Sequence, residues 1–356
     1  MNPVILQLVG GVLMNDEIIM TVKNLKKWFP LRRTISEIFQ GKRRWVRAVD
    51  NVSFDIRKGE IFGLIGESGC GKSTTGRLLM KLEEPTEGQI IFKGEDVTFL
   101  SSTEEIKKYK EDVQMIFQDP YSSMNPRFRV RDVLAEPLII HNKTKDPNEI
   151  EEIAKNVLNE VKLTPPEEFM DRYPHMLSGG QRQRVATART LVLSPDFIIA
   201  DEPVSMIDLS TRAEILHMMK DVQQDLGLTY LYITHDLSTA RYFCDRIAVM
   251  YLGRIVELGD ADEIIERPLH PYTKALIEAV PEPLPGKENV IKELPIKGEI
   301  PSAANIPKGC RFHPRCIYAQ PECFENVDDP ELVEDSNGHY VACYRYKEID
   351  QEVEKV

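Results

Sequence analysis

The sequence lacks long apolar runs, closely paired cysteines and an excess of positive charge. No twenty consecutive residues are apolar, so we expect no transmembrane helix. Six cysteines in 356 residues favour free or metal-bound thiols in a reducing compartment over a disulfide framework. The formal net charge of −12 argues against a nucleic-acid partner. No basic segment precedes the apolar residues 4–14, which argues against a signal peptide, and we expect residues 1–14 to form a disordered tail.

The pattern of the chain indicates a long α/β part and a short C-terminal part. Apolar and β-branched runs that alternate with helical patterns predict an α/β nucleotide-binding domain over residues 15–280. Residues 127–176 are charged and helix-periodic, which predicts a helical subdomain inserted into the sheet. Three prolines within residues 281–285 indicate a stiff linker. We therefore expect residues 281–356, with four of the six cysteines, to form a separate small domain.

A phosphate-binding loop is the first chemical motif. Residues 66–73 match G-x4-G-K-[ST] and follow an apolar run, typical of a buried parallel strand. The helical pattern runs from Ser73 through Leu82, so we expect backbone N–H groups to surround phosphate oxygens at a helix start. Lys72 would reach the β- and γ-phosphates, Ser73 would bind Mg²⁺, and the helix end would lower the pKa of Cys70. The predicted nucleotide-binding residues are Gly66, Glu67, Ser68, Gly69, Cys70, Gly71, Lys72, Ser73 and Thr74.

Two adjacent carboxylates follow a second buried strand. Asp201 ends the apolar run at residues 197–200, Glu202 is next, and Pro203 then stops the strand. An acidic pair at a strand end is often only a solvated turn, but here the strand is apolar throughout. We expect Asp201 to bind Mg²⁺ and Glu202 to polarise an attacking water.

A second glycine motif precedes this acidic pair. Leu177-Ser178-Gly179-Gly180-Gln181 opens a helical pattern, and its hydroxyl and bare backbone N–H groups make a second anion site at a helix start. One chain cannot easily bring this site onto its own P-loop phosphate. We therefore infer a head-to-tail dimer, in which Ser178, Gly179, Gly180 and Gln181 would contact the nucleotide of the partner.

Together these motifs resemble those of ATP-binding subunits of ABC importers, in the oligopeptide/dipeptide branch, over nearly the whole chain. The resemblance implies a P-loop ABC ATPase with a RecA-like core, an antiparallel β subdomain, the helical subdomain and a small cysteine-containing C-terminal domain. It implies that Gln118 meets Mg²⁺ and the attacking water, that His235 contacts the γ-phosphate, and that Asp208 crosses the dimer interface. Phe29 is the predicted adenine-stacking aromatic residue.

The four C-terminal cysteines suggest a metal site. Cys310, Cys316, Cys323 and Cys343 are spaced C-x5-C-x6-C-x19-C, without the C-x2-4-C pairs usual at structural zinc sites. The residues leave three hypotheses open, which are an iron–sulfur cluster, a zinc ion with His313 or His339 as alternative ligands, and free thiols. The resemblance favours a [4Fe–4S] cluster, with Zn²⁺ as the alternative.

A basic segment interrupts the N-terminal strand pattern. Residues 23–47 contain nine lysines and arginines and a single acid, Glu37. Nucleic-acid binding, contact with anionic lipid and a solvated loop are all open, and the solvated loop is favoured over lipid contact.

The resemblance implies ATP hydrolysis that drives import of di- and oligopeptides. Two such subunits would enclose two ATP molecules, with Glu202 as the base and His235 holding the geometry. The implied partners are a second ATPase subunit, two membrane permeases and, indirectly, an extracytoplasmic solute-binding protein, on the cytoplasmic face of the membrane. We expect a heterodimer with a paralogue, with a homodimer as the alternative. Import of oligosaccharides or another small solute, and a non-transport ABC ATPase, are the alternative functions.

Overall fold

The computed structural model describes residues 17–32, 43–279, 296–326, 328–336 and 338–353. The predicted tail 1–14, the middle of the basic segment and the proline-rich linker at 281–285 lie outside the described residues.

The described strands alternate with helices along most of the chain, as the sequence predicts. In chain order the strands are β1 (Ile18–Pro30), β2 (Trp45–Arg57), β3 (Ile61–Ile65), β4 (Glu87–Phe92), β5 (Glu95–Asp96), β6 (Val113–Ile116), β7 (Phe197–Asp201), β8 (Thr229–Thr234), β9 (Arg246–Tyr251), β10 (Arg254–Asp260), β11 (Val333–Ser336) and β12 (His339–Val341). They form a four-stranded sheet in the order β2-β1-β4-β5 and an eight-stranded sheet in the order β11-β12-β10-β9-β3-β8-β7-β6.

The small sheet is antiparallel, and the large sheet is parallel at its centre. Strands β6, β7, β8, β3 and β9 run parallel, whereas β10, β11 and β12 continue the sheet with antiparallel pairing. Because the carboxyl ends of parallel strands meet at one edge, the loops after β3, β7 and β8 lie side by side. This edge carries the P-loop, the acidic pair and His235.

Both faces of the large sheet are buried. Along β3, Ile61 and Ile65 belong to one apolar cluster, while the intervening Phe62 and Leu64 belong to another. The same alternation holds in β7, where Ile198 and Ala200 face the first cluster. A parallel strand that is buried on both faces has a continuous apolar sequence, and β3 and β7 show this pattern.

The helices cover these faces and form the predicted helical subdomain. They are α1 (Lys72–Leu79), α2 (Thr103–Asp112), α3 (Pro120–Ser123), α4 (Val130–Ile140), α5 (Pro147–Glu160), α6 (Pro166–Met170), α7 (Gly179–Leu191), α8 (Leu209–Leu226), α9 (Leu237–Phe243), α10 (Ala261–Glu266), α11 (Pro271–Glu278), α12 (Glu322–Glu325) and α13 (Tyr346–Val353), with a 3₁₀ turn at Pro174–Met176. Between α3 and α7 the chain forms only helices and loops, which confirms the helical part of the expected fold. No helix among the described residues is both long and apolar enough to cross a membrane.

The C-terminal segment joins the large sheet. Strand β12 pairs with β10 through the register Glu257 to Val341, and β11 pairs with β12. The N–H of Ala342 donates to the carbonyl of Val256 at 2.8 Å. The residues after the predicted linker therefore share a sheet with the nucleotide-binding part.

Candidate nucleotide site

The P-loop leaves β3 and enters α1 along a path that requires glycine. Gly71 caps the helix with φ of 115°, a conformation that L side chains rarely adopt. A Cβ atom at Gly71 would lie 2.2 Å from the carbonyl oxygen of Ala48, on β2. The small antiparallel sheet therefore packs directly against the loop, and only glycine at this position permits so close a contact.

Lys72 is folded back onto the loop that precedes it. Its Nζ donates to the carbonyl of Gly66 at 2.7 Å and to that of Glu67 at 3.0 Å. The side chain is buried. These carbonyls hold the ammonium at the loop, where phosphate oxygens could replace them.

Ser73 and Asp201 meet although 128 residues separate them. The Oγ of Ser73 donates to Oδ1 of Asp201 at 2.9 Å. Burial raises the pKa of Asp201 above its ordinary value, and the hydrogen bond from Ser73 opposes that shift. A hydroxyl and a carboxylate are oxygen ligands of the kind that Mg²⁺ takes together with substrate phosphates. The chemistry of this pair therefore fits the predicted magnesium site.

Glu202 lies between the two other predicted catalytic residues. Its Oε2 accepts a hydrogen bond from Nε2 of Gln118 at 3.0 Å, and its Oε1 lies 3.0 Å from Nδ1 of His235. The backbone of Glu202 has φ of 47°, which is strained for a residue with a side chain, and its N–H donates to the carbonyl of Ile233. Three loops thus converge on one carboxylate beside the Ser73–Asp201 pair.

The signature motif forms a capped helix start. Ser178 Oγ accepts the N–H of Gln181 at 3.2 Å, and Gln181 Oε1 accepts the N–H of Ser178 at 3.1 Å. Ser178 and Gly179 are exposed. Among the described residues no hydrogen bond or ion pair joins this motif to the P-loop, and its contact with the nucleotide of a partner stays a prediction.

Asp208 lies close to the signature motif. Its Oδ1 caps α8 by accepting the N–H of Thr211 at 3.1 Å, and hydrogen bonds from Ser210 and Thr211 lower its pKa. A Cβ atom at Gly180 would lie 2.6 Å from Cγ2 of Thr211. The helix starts that carry the signature and Asp208 therefore pack against each other.

Phe29 is half-buried near the end of β1 and pairs with Val46 on β2. Its ring centroid lies 5.0 Å from Nζ of Lys27. Ala48, two residues beyond Val46, supplies the carbonyl that abuts Gly71. The structure thus places Phe29 on the sheet that packs on the P-loop, and its contact with adenine stays a prediction.

The pKa of the Cys70 thiol differs from the prediction. Burial raises the pKa of its thiol, although Lys72, whose Nζ lies 3.8 Å from the sulfur, opposes this. The prediction of a lowered pKa was wrong because the side chain turns inward, where it is 4% exposed, and desolvation outweighs the helix end.

The predicted iron–sulfur site is also wrong. Across the described residues, no group of three or more His, Cys, Asp or Glu side chains is arranged to hold a metal ion. The four C-terminal cysteines are free thiols beside a cavity of about 10 Å³, no more than the space of a single water molecule. Burial raises the pKa of Cys310 and Cys316, and that of Cys343 to about 12, which favours the neutral thiol.

The zinc alternative is wrong on the same finding, because the described residues hold no group of side chains arranged around a metal ion. His313 Nδ1 lies 2.9 Å from the carbonyl oxygen of Cys310, and His339 Nε2 lies 2.8 Å from Oε1 of the buried Glu257.

Sequence reasoning missed two residues that touch the P-loop. Arg315 and Tyr272 both contact Glu67, through its carboxylate and its backbone N–H respectively. Each belongs to a stretch that the resemblance covers, but nothing in the spacing of the chain indicates a contact across 248 or 205 residues.

The fold and the arrangement of P-loop, acidic pair and signature define an ATP-binding cassette. The family model for ABC transporters matches residues 49–205, and the model for the C-terminal region of oligopeptide/dipeptide transporters matches residues 256–323. The chain is similar to a solved dimeric cassette, MJ0796 in a post-hydrolysis state bound to ADP and Pi, with TM-score 0.60 and 28% identity, covering 68% of this chain and 99% of that one.

Bacterial transport ATP-binding proteins resemble the chain over most of its length. It is 47% identical to the oligopeptide transport ATP-binding protein AppF of Bacillus subtilis, over 93% of this chain and 98% of that protein. It is 44% identical to the dipeptide transport ATP-binding protein DppF of Haemophilus influenzae, over 90% and 94% of the two chains. The chain therefore belongs to the family of ATP-binding subunits of oligopeptide/dipeptide ABC importers, and it is an ATPase.

Proposed function

We propose that this chain hydrolyses Mg-ATP at the P-loop to drive peptide import. The observation that carries this proposal is the convergence of Gln118 and His235 on Glu202, beside Ser73 and Asp201. Glu202 accepts a proton from the attacking water, while Gln118 and His235 hold its carboxylate in place. Ser73 and Asp201 would hold Mg²⁺, which would neutralise phosphate charge when bound. Lys72 exchanges its hydrogen bonds to the loop carbonyls for hydrogen bonds to phosphate oxygens.

The site is completed by a second ATPase subunit. The exposed Ser178 offers a hydroxyl and the exposed Gly179 a backbone N–H at the helix start, and Asp208 lies beside them near the start of α8. We propose that these groups close over the nucleotide of a paralogous subunit in a heterodimer, and that a homodimer is the alternative. The dimeric MJ0796 cassette is a precedent for two such chains in contact.

A groove beside Gln118 suits contact with a permease. It has a volume of about 210 Å³ and lies between β6 and the helices of residues 130–190. Phe117 and Ile140 line it, and Ile140 is 58% exposed. We propose that a cytoplasmic segment of each membrane permease binds here, and that movement of Gln118 couples ATP hydrolysis to that segment. This contact would hold the chain at the cytoplasmic face of the membrane, with a solute-binding protein acting from the other side.

We propose the domain boundaries that the sequence indicates. Residues 15–280 form the ATPase domain, with the helical subdomain near 127–176, and residues 281–356 form a C-terminal domain. The pairing of β12 with β10 supports a C-terminal domain that docks onto the ATPase sheet.

Peptide uptake tests the proposed function. In cells that lack the native gene, the parent chain should restore uptake of a labelled tripeptide. Lys72→Ala should not restore it, because the ATP phosphates would lose their contact with the Lys72 ammonium group. Lys108→Ala is the matched control, since Lys108 lies exposed on α2, and it should restore uptake as the parent does. Full uptake with Lys72→Ala would contradict the ATP-driven role. If the parent restores only uptake of an oligosaccharide, the peptide assignment fails while the ATPase assignment stands.

A further inference from the structure

Residues of the C-terminal segment bind the P-loop at Glu67. Arg315, which is 4% exposed, places Nη1 2.6 Å from Oε2 of Glu67 and Nη2 3.0 Å from Oε1. Its guanidinium lies 5.8 Å from the ring centroid of Tyr251 and 6.0 Å from that of Phe312. A bidentate pair whose guanidinium lies beside two aromatic rings fixes both the distance and the direction of the carboxylate.

A second contact from the same cluster holds the backbone of Glu67. The hydroxyl of Tyr272 accepts the N–H of Glu67 at 2.9 Å. Tyr272 is buried, and its ring centroid lies 4.8 Å from that of Tyr251 and 5.5 Å from that of Phe312. The side chain and the N–H of Glu67 are thus both attached to one aromatic cluster outside the P-loop.

The third polar group of Glu67 acts on the nucleotide side. Its carbonyl accepts hydrogen bonds from Nζ of Lys72 at 3.0 Å and from the N–H of Cys70 at 3.3 Å. Together with the carbonyl of Gly66, Glu67 therefore helps to hold Lys72 and the turn of the loop toward α1.

We propose that Arg315 is a positioning residue of the nucleotide site, which pre-organises the P-loop by holding Glu67. Without this pair the loop would have to be ordered when nucleotide binds, and ordering a flexible loop on binding costs affinity. Arg315 acts through Glu67 and does not touch the nucleotide itself. The inference rests on the proposed placement of ATP at the P-loop, and it adds that the C-terminal segment is part of the machinery that sets ATP affinity.

ATP binding to purified variants tests the inference. Arg315→Met should raise the Kd for ATP about tenfold, which corresponds to about 1.4 kcal/mol. KM should rise in parallel while kcat stays close to that of the parent, because the groups around Glu202 are unchanged. Arg315→Lys, which keeps the charge but loses the bidentate geometry, should give an intermediate Kd. Arg345→Met is the control, because Arg345 bonds to Tyr318 and Glu322 within the C-terminal segment; its Kd should equal that of the parent.

A double-mutant cycle separates positioning from general stability. Glu67→Gln alone should raise the Kd for ATP as much as Arg315→Met does. The Kd of the double variant should be no higher than that of either single variant. If Arg315→Met weakens ATP binding equally in the Glu67→Gln background, or leaves Kd unchanged in a folded protein, the inference is overturned. Lys72→Ala distinguishes the two proposals, because unchanged ATP binding in that variant would show instead that ATP does not bind at the P-loop. Should Arg315→Met not fold, the comparison of Glu67→Gln with the parent decides, and an unchanged Kd would refute the inference.

Discussion

Glu202 combines a strained backbone with two side-chain contacts. Its φ of 47° is one that a glutamate adopts only when its surroundings impose it, and here the N–H bond to Ile233 and the contacts with Gln118 and His235 do so. Because the carboxylate is already oriented, little reorganisation is needed when water and nucleotide arrive. The strain is therefore consistent with a functional position.

Cys70 should react slowly with thiol reagents. Its side chain is buried and its thiol pKa is raised, so both access and thiolate content are low. We expect N-ethylmaleimide to modify Cys70 at least about tenfold more slowly in the native protein than in urea, as followed by mass spectrometry of the peptide. Equal rates in the two conditions would mean that the thiol faces solvent.

At the scale of residues, local motifs were predictable and long-range contacts were not. Spacing within a few residues is set by strand, turn and helix geometry, so the placement of Lys72 and Ser73 at a helix start and of Asp201 at a strand end was predictable. Their roles stay predictions. The bidentate contact of Arg315 with Glu67 depends on how two distant segments pack. The four cysteines led to a wrong prediction because their spacing along the chain does not determine whether the folded segment arranges them around a metal ion.

Helix starts and ends are the elements that define the site. The signature motif caps α7, and Asp208 caps α8. Helix α1 ends at Leu79, earlier than the predicted Leu82, because Lys81 has φ of 56°. The apolar pattern continues past that point only because Leu82 lies in the following turn, so periodicity alone misplaces the end.

His270 should make helix α11 sensitive to acid. Its Nδ1 accepts the N–H of Tyr272 at 3.0 Å, and burial lowers its pKa to about 3 from an ordinary value of 6.5. The unfolded chain therefore binds a proton that the folded chain does not. This contribution to stability is complete above pH 6.5 and is lost as the pH falls toward 3, by about 1.4 kcal/mol per pH unit.

His270→Asn should remove this dependence, since asparagine can cap the helix without titrating. Urea unfolding at pH 7.5, 6 and 5 would measure it. We expect the free energy of unfolding of the parent to fall more steeply below pH 6.5 than that of the variant. Parallel curves for the two proteins would show that His270 is not the titrating group.

At the scale of the whole molecule, one sheet joins the catalytic part and the C-terminal part. Strands β3, β7 and β8 present the nucleotide motifs at their carboxyl ends, and β12 adds the C-terminal segment at the other side of β10. The class of fold was predictable because the P-loop, the signature motif and the acidic pair follow one another along the chain in a characteristic order. The attachment of the C-terminal strands was not, because β11 and β12 are short and carry no distinctive pattern.

We propose that Glu202 activates water in a nucleotide site that a second ATPase subunit closes. Single-turnover hydrolysis of bound ATP by the assembled transporter carrying Glu202→Gln tests it most directly, with Glu104→Gln, an exposed residue of α2, as the control. We predict that Glu202→Gln retains ATP between the two subunits and hydrolyses it at least about a hundredfold more slowly than the parent. Hydrolysis at the parent rate would show that Glu202 does not activate the attacking water.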